Sequence, residues 1–471
     1  MRLHSKAFAA LAFILWPLAV HAASDKPADA AALSAAICPI VYPVDQSPSD
    51  RGYRYLFYGN GFFINEQGYQ ITAAHVLSQL HGGQPYILLR QPAAAPRFVL
   101  ATVVIVDRDH DVAILRATPN PFEGKYKVGF LPLAYDWITP GRAVLTSSVR
   151  PSKPVDAYTL DASVEDRAAG EVFNFHFSQL DKGRPETELF LFNHQVRLGQ
   201  SGSPVVAADS QGVVGFVEGQ WLRSSLVPLA AGTEQSTPGV GAAVPIHYAI
   251  ALLQQKGIPW HSGASEPLED PAASSEPMPL SLVAAPYPSQ ALFGGEVVLD
   301  VLIDTRGRAA EIKVVRGPSP FLEDVLATVR TWSFFPARLD GNPVPARIGI
   351  TFQFSQSYDP PRATQAHNYE RPPPSLSDRS ARPVLTVEPQ FPAASAGEGS
   401  VILYELVDAQ GHFAADHVLR DSESFSSAAV ASVHGWRFAP GTRDGSDIDS
   451  GEIVVLIFRL SGITESLPPR N

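Results

Sequence analysis

The chain has 471 residues, of which 45% are hydrophobic and 18% charged, and its net charge at pH 7 is −11. This length exceeds what one hydrophobic core holds, so we expect about two to four domains. The composition is that of a globular protein and excludes a chain disordered throughout. The net negative charge and the lack of a basic stripe argue against nucleic acid as a partner. The single cysteine, Cys38, excludes an intrachain disulfide.

Residues 1–22 have the pattern of a secretory signal peptide. Arg2 and Lys6 supply the positive start, an apolar run follows over residues 7–18, and Val20-His21-Ala22 has the form of a cleavage site. The apolar run is shorter than the ~20 residues that a membrane-spanning helix needs, and no later segment is long and apolar enough. We therefore expect an exported protein without a membrane span after cleavage. The alternative is a signal kept as a membrane anchor.

Residues 38–258 read as an all-β domain. Short apolar runs such as 98–106, 143–147 and 213–218 alternate with glycine and polar turns, which is typical of a β-barrel or sandwich. The region closes with a predicted helix over about residues 246–256, where apolar residues recur at helical spacing.

Two stretches without periodicity follow, over residues 259–278 and 357–382. Both are rich in proline and small residues, and both are predicted to be linkers.

The segments 279–356 and 383–461 are two copies of one sequence pattern. Pro288 recurs as Pro392, Asp304 as Asp408 and Trp332 as Trp436, each 104 residues later. The same spacing relates Val297, Gly307, Phe334, Pro336, Asp340 and Gly341 to Val401, Gly411, Phe438, Pro440, Asp444 and Gly445. Each copy predicts a strand, a turn, a strand, a helix ending near its tryptophan and a closing strand. This is a small α+β domain.

Ser201 is the candidate nucleophile, in the turn Gly199-Gln200-Ser201-Gly202-Ser203-Pro204. Glycines in a tight turn allow the backbone N–H groups of Gly199 and Ser201 to point at one oxyanion. The alternative is an ordinary glycine–serine loop. The apolar strands that follow, Val205-Val206 and residues 213–216, favour the catalytic interpretation.

His75 and Asp111 are the candidate partners of this serine. His75 closes a predicted strand over residues 69–74 and is placed to act as a general base. Asp111 leads into the apolar run 112–115, where a carboxylate needs a partner to offset its burial. Asp107 and Asp109 are alternatives, but Asp111 alone adjoins the strand.

The order His75, Asp111, Ser201 resembles that of trypsin-like serine peptidases with the chymotrypsin fold, and among them the HtrA-related bacterial group. Gly59-Asn60-Gly61-Phe62-Phe63-Ile64, Thr72-Ala73-Ala74-His75 and Gly241-Ala242-Ala243-Val244-Pro245-Ile246 are similar to motifs of that group. The resemblance covers about residues 50–256. It implies two six-stranded barrels with the catalytic residues in the cleft between them.

The same resemblance implies a substrate pocket. One wall would consist of Val214, Gly215, Phe216 and Val217, and its base would lie near Gln195. No acidic residue lies at that base, so a neutral pocket for small or aliphatic side chains is expected. Glu218, an acidic residue next to this wall, complicates the expectation of a neutral pocket. Ser203 stands where the group usually has glycine, and the loops over residues 152–195 match no pattern of the group.

Each copy of the repeat resembles the C-terminal domain of TonB-type energy transducers. The first carries Tyr287-Pro288, Gly295-Glu296-Val297 and Trp332-Ser333-Phe334-Phe335-Pro336, and the second carries Phe391-Pro392, Gly399-Ser400-Val401 and Trp436-Arg437-Phe438-Ala439-Pro440. The resemblance implies a module that pairs a strand edge with a peptide of an envelope protein. Energy transduction is not expected once the signal is cleaved.

The predicted fold class is therefore multidomain, an all-β double-barrel peptidase followed by two small α+β domains. The predicted function is that of a serine endopeptidase, exported to the periplasm of a Gram-negative bacterium and acting on proteins or peptides through an acyl-enzyme. No cofactor or metal is expected, since no cluster of Cys and His has metal-ligand spacing. One alternative is a non-catalytic or latent scaffold carrying two binding modules, and another is an anchored transducer.

Overall fold

The computed structural model describes residues 30–43, 54–78, 83–89, 97–124, 126–134, 138–151, 158–159, 163–180, 184–210, 212–221, 240–263, 276–291, 293–357, 366–370, 378–392, 398–422 and 424–460. The predicted signal peptide lies outside these residues, as do large parts of both predicted linkers. No helix among the described residues is long and apolar enough to cross a bilayer.

The N-terminal part of the chain is built almost entirely from strands. Its elements are α1 (Ala30–Ala36), β1 (Ile37–Pro43), β2 (Arg54–Phe63), β3 (Tyr69–Ala73), α2 (Ala74–Ser78), β4 (Tyr86–Leu89), β5 (Arg97–Asp107), β6 (Val112–Thr118), β7 (Ala143–Pro151), β8 (Tyr158–Thr159), β9 (Ser163–Gln179), β10 (Glu186–Phe192), β11 (Pro204–Ala207), β12 (Val213–Trp221), β13 (Val240–Pro245) and α3 (Ile246–Lys256).

These strands form two barrels, as the fold prediction requires. The first sheet has the order β1-β4-β5-β6-β3-β2-β8 and closes through pairing of β1 with β2. It has seven strands rather than six, because β8 adds a short strand at the side of β2. The second barrel is closed and six-stranded, in the order β10-β13-β12-β11-β7-β9. Helix α3 has the predicted bounds, and Gly257 ends it in the left-handed conformation that glycine adopts without strain.

The C-terminal part contains the two sequence copies. Its elements are β14 (Met278–Ser281), β15 (Gly295–Ile303), β16 (Ala309–Arg316), α4 (Phe321–Val329), β17 (Ser333–Phe335), β18 (Ala337–Leu339), β19 (Asn342–Val344), β20 (Ala346–Gln356), β21 (Ala366–Asn368), β22 (Arg382–Val387), β23 (Gly399–Val407), β24 (Phe413–Arg420), α5 (Ser426–Val433), β25 (Arg437–Ala439), β26 (Gly441–Arg443), β27 (Ser446–Ile448) and β28 (Ser450–Arg459).

The two copies share a single six-stranded sheet, in the order β16-β15-β20-β28-β23-β24. The closing strands β20 and β28 pair in parallel at its centre. The strand order on the second side of this pair is therefore the mirror of the order on the first side. Ile350 pairs with Ile453, whereas its sequence counterpart is Val454. A shift of one residue exchanges the faces of a strand. Equivalent side chains therefore point to opposite faces, and α4 and α5 pack on opposite sides.

The cores of the two copies correspond residue by residue. The rings of Phe321 and Phe354 in the first copy lie 4.6 Å apart, and so do those of Phe425 and Phe458 in the second. The indole N–H of each tryptophan donates to a backbone carbonyl, Trp332 to Val283 at 2.9 Å and Trp436 to Val387 at 3.0 Å. The repeated aromatic positions thus have a structural role in packing.

The described ends of the predicted linkers are ordered against the domains. Residues 259–263 lie against the first barrel, where Leu133 donates to the His261 carbonyl and Asn65 to that of Pro259. In the second linker, Ala366–Asn368 pairs with β22, and Ala381 is fully buried. Proline tolerates such extended segments at sheet edges, which the sequence pattern does not separate from a free linker.

A buried ion pair joins the second copy to the N-terminal barrels. Arg420 at the end of β24 contacts Glu188 of β10 at 2.7 Å, and their side chains are 4% and 2% exposed. The guanidinium also lies 3.9 Å from the centre of the Phe175 ring. Burial raises the pKa of the Glu188 carboxyl, and the charge of Arg420 opposes that rise. The second copy therefore packs directly against the second barrel at this point.

Candidate active site

His75 and Asp111 are in direct contact. Strand β3 ends at Ala73, one residue earlier than expected, so His75 lies in the first turn of the short helix α2. Its Nδ1 is 2.7 Å from Asp111 Oδ2, and its backbone N–H donates to Asp111 Oδ1 at 2.8 Å. The two contacts fix the ring orientation and leave Nε2 on the side away from the aspartate. This is the arrangement in which an imidazole serves as a general base.

The other two aspartates of this loop have their own partners. Asp107 contacts His110 Nδ1 at 2.7 Å, and Asp109 pairs with Arg184 at 2.8 Å. Burial alone would raise the pKa of Asp107, but its hydrogen bond and charge interaction with His110 lower the pKa overall. Asp111 has a φ of 57° and leads into β6, and its carbonyl accepts from Ala74. Of the three candidates, it is Asp111 that contacts His75.

Ser201 lies in a turn held against the strands that lead to His75. The Ser201 hydroxyl donates to the Glu218 carbonyl at 3.2 Å. Within the described residues it makes no hydrogen bond to His75. Gly202 has a φ of 77°, and a Cβ placed on it would lie 2.2 Å from the Asn60 carbonyl oxygen and 2.5 Å from Thr72 Oγ1. The structure thus brings the serine turn to the same cleft as His75, with the hydroxyl turned toward β12.

Asn60, which lies in the motif of residues 59–64, holds the serine turn in place. Its backbone N–H donates to the Ser201 carbonyl at 2.8 Å, and its side chain donates to the Gly199 carbonyl at 2.8 Å and to Val149 at 2.9 Å. The side chain is fully buried. A buried amide that spans the two barrels fixes the serine turn from its carbonyl side. The signal was a polar residue inside the apolar run of β2.

The serine turn is held by the backbone conformation of Gly199 and by the Gln200 side chain. Gly199 has a φ of 88°, and the Gln200 side chain accepts from the Arg197 N–H at 2.6 Å and donates to Ser148 Oγ at 2.7 Å. Among the described residues, the N–H groups of Gly199 and Ser201 have no hydrogen-bond acceptor. Two such donors in one turn are what a developing oxyanion needs.

The structure places the residues of the expected substrate wall inside the barrel. The side chains of Val214, Phe216 and Val217 are buried in the barrel cores, and the Cβ position of Gly215 is filled by the Phe190 ring. Strand β12 passes Ser201 at Glu218, so the residues of this strand beside the serine turn are Glu218, Gly219 and Gln220. A Cβ on Gly219 would meet nothing within 4 Å. Gln195, the expected base, is exposed on the preceding loop.

Glu218 places a second carboxylate beside the histidine–aspartate pair. A ring nitrogen of His75 and carboxylate oxygens of Asp111 and Glu218 all lie within 4.8 Å of one another. The Glu218 residue is 4% exposed. Sequence spacing does not reveal this trio, because its members come from α2, the loop before β6, and β12.

Comparisons with known families agree with this architecture. Residues 59–216 match the model of the trypsin-like peptidase domain, and residues 285–355 match that of the Gram-negative bacterial TonB protein C-terminal domain. Among curated proteins, no sequence matches the chain. The chain carries a trypsin-like peptidase domain followed by a TonB C-terminal domain.

Solved structures similar to this chain include several peptidases. The protease domain of MamO from Magnetospirillum magneticum is 18% identical, with a TM-score of 0.33, and the match covers 47% of this chain and 97% of that one. The HtrA-type protease AlgW with a tripeptide is 19% identical, with a TM-score of 0.33 and coverages of 49% and 63%. Deg5 is 14% identical, with a TM-score of 0.32 and coverages of 46% and 87%.

Proposed function

We propose that this chain is a serine endopeptidase, exported to the periplasm of a Gram-negative bacterium, that cleaves proteins or peptides through an acyl-enzyme. The observation that carries the proposal is the convergence of three distant residues in one cleft. His75 is oriented by Asp111 at 2.7 Å, and the Ser201 turn is anchored by Asn60 at 2.8 Å to the strand beside it.

The reaction begins with a rotation of the serine side chain. The Ser201 hydroxyl leaves the Glu218 carbonyl and turns to His75 Nε2, which takes its proton as the oxygen attacks the substrate carbonyl. Asp111 keeps the other proton on Nδ1 and stabilises the imidazolium. The N–H groups of Gly199 and Ser201 hold the negative oxygen of the tetrahedral intermediate.

Collapse of that intermediate breaks the peptide bond. His75 returns the proton to the leaving amine, and the acyl group stays on Ser201. Water then attacks the ester with His75 again as the base, which releases the acid and restores the serine. The open space at Gly219 would receive the side chain before the scissile bond.

The two C-terminal copies are proposed to bind proteins for the peptidase or to place it at the envelope. Their closing strands β20 and β28 pair with each other. An added peptide strand would therefore have to join at β16 or β24, the strands at the two edges of the sheet.

The test is covalent labelling of the purified mature protein by a fluorophosphonate, together with hydrolysis of a fluorescent casein. We expect labelling of the wild type and none of Ser201→Ala. Ser203→Ala is the matched control, because it removes a hydroxyl two residues away in the same turn, and it should label like the wild type. Equal labelling of all three proteins would exclude Ser201 as the activated nucleophile.

A latent or non-catalytic scaffold is the second candidate. It is favoured by one observation, the hydrogen bond that directs the Ser201 hydroxyl to the Glu218 carbonyl and away from His75. In that case the folded wild type is not labelled by the fluorophosphonate and does not hydrolyse casein. A protein that labels only after a binding partner of the repeats is added would be a latent peptidase, since catalytic hydrogen bonds often form only in the assembled complex.

A further inference from the structure

Three metal-ligating side chains meet in the catalytic cleft. The side chains of His75 and Asp111 are 21% and 7% exposed, and Glu218 is 4% exposed as a residue. One ligand atom from each lies within 4.8 Å of the other two. We propose that this trio binds a divalent transition-metal ion of the Zn²⁺ class, and that the bound ion switches the peptidase off.

The donor set suits such an ion. One imidazole nitrogen and two carboxylate oxygens are ligands that Zn²⁺ takes at about 2.0–2.2 Å, with a further position left for water. Ligand atoms on a shared ion then stand about 3.4 Å apart, so the three groups need to move by roughly 1 Å or less. Side-chain rotations supply movements of that size.

The charges of the trio also favour a cation. The triad mechanism requires a single carboxylate behind the histidine. Here a second buried carboxylate approaches the first, and two neighbouring negative charges raise each other's energy. A dication between them removes that repulsion.

Binding of the ion to either ring nitrogen of His75 removes the general base. A neutral imidazole has one nitrogen with a free lone pair and one that carries a proton. The ion occupies the lone pair, and the other nitrogen keeps its proton. No site then remains to accept the Ser201 proton. The inhibition rests on the proposed function, but the binding of the ion does not.

The test uses the full mature chain, stripped of metal. Titration with Co²⁺, read by its visible absorption, and calorimetry with Zn²⁺ should show one site per chain. Glu218→Gln should weaken Zn²⁺ binding by at least 100-fold. His367→Asn is the matched control, because it removes a histidine–carboxylate pair of 3.0 Å in the C-terminal region, and it should bind like the wild type. Circular dichroism confirms that each variant is folded.

The inhibition is read by fluorophosphonate labelling in the same samples. One equivalent of Zn²⁺ should abolish labelling of the wild type and EDTA should restore it. For Glu218→Gln, the labelling with that Zn²⁺ concentration should equal the variant's own labelling without metal, whatever its basal rate. Ser201→Ala should still bind one ion, which measures the metal site without any peptidase activity. Equal affinities of the wild type and Glu218→Gln, or an unchanged Co²⁺ spectrum, would overturn the proposal. If the wild type binds Co²⁺ in the titration but is not labelled by the fluorophosphonate in its metal-free state, the peptidase proposal is overturned instead.

Discussion

Arg316 and Arg420 occupy the same place in the two copies and have different partners. Arg316 pairs with Glu296 of its own copy at 2.6 Å, and its guanidinium lies 3.4 Å from the centre of the Tyr369 ring. Arg420 pairs across the interface with Glu188 of the peptidase part. The counterpart of Glu296 in the second copy is Ser400, so Arg420 has no equivalent acid at that position. The first copy has Glu296 where the second has Ser400, and the two copies present opposite faces of the shared sheet. As a result, the arginine forms an ion pair within the first copy but pairs with the second barrel in the second copy.

The largest difference between the copies should appear when each arginine is removed. Arg420→Leu leaves the Glu188 carboxylate buried without its cation, which costs about 3–5 kcal/mol. Arg316→Leu should cost about 2 kcal/mol, because its side chain is 21% exposed and water can replace part of the contact. Urea unfolding followed by circular dichroism compares the two.

A double variant separates the lost charge pair from lost packing. Arg420→Leu combined with Glu188→Gln should recover most of the lost stability, because no buried charge is left without a partner. If Arg420→Leu and Arg316→Leu lower the free energy of unfolding equally, the ion pair of Arg420 contributes no more to stability than that of Arg316.

The next difference lies at Glu452, whose counterpart in the first copy is Ile348. Glu452 is fully buried, accepts from Thr351 Oγ1 at 2.6 Å and pairs across strands with Glu405. Burial raises the pKa of Glu452 well above 4.5. Above that pH the unfolded carboxyl ionises while the folded one stays protonated, so stability falls as pH rises. Glu452→Gln should stabilise the protein by about 2 kcal/mol at pH 8 and leave it unchanged near pH 4. Thermal melts at the two pH values measure this, and an identical gain at both would contradict it.

The two tryptophans should differ by less. Trp332→Phe leaves the Val283 carbonyl without its donor, at a cost of about 2 kcal/mol. Trp436→Phe should cost about 1 kcal/mol, because the Val387 carbonyl keeps a hydrogen bond from Ser432. Chemical unfolding of both variants tests the order, and the reverse order would show that the repeats do not share one packing scheme.

The smallest effect is expected at a turn that the copies share. Gly341 and Gly445 both have a φ of 77° and follow an aspartate of positive φ. Alanine is strained in this conformation by about 1 kcal/mol, so Gly341→Ala and Gly445→Ala should each lower stability by that amount. A difference between them larger than the error of the melting curves would mean that one turn carries an additional constraint.

The sequence was informative where local chemistry determines structure. The repeat predicted the α+β order of each copy, and apolar periodicity predicted α3. The apolar strand that directly follows Asp111 indicated this residue, rather than Asp107, as the partner of His75. The sequence did not predict contacts between strands that are distant along the chain. The approach of Glu218 to His75 depends on how β12 crosses the cleft, and the Arg420–Glu188 pair depends on how the copies pack on the barrels. The one-residue register shift between β20 and β28 has no local signature.

The parallel pairing of β20 with β28 makes the tandem copies an intramolecular dimer. Two identical domains that met through their closing strands would form a pseudo-twofold pair, and the linker here keeps both at a high effective concentration. A fragment ending near residue 357 would expose the unpaired closing strand of the first copy, with Phe352 and Phe354 alongside it. Such a fragment would tend to dimerise through this strand. The duplication replaces a concentration-dependent dimer of two chains with two domains that are covalently linked.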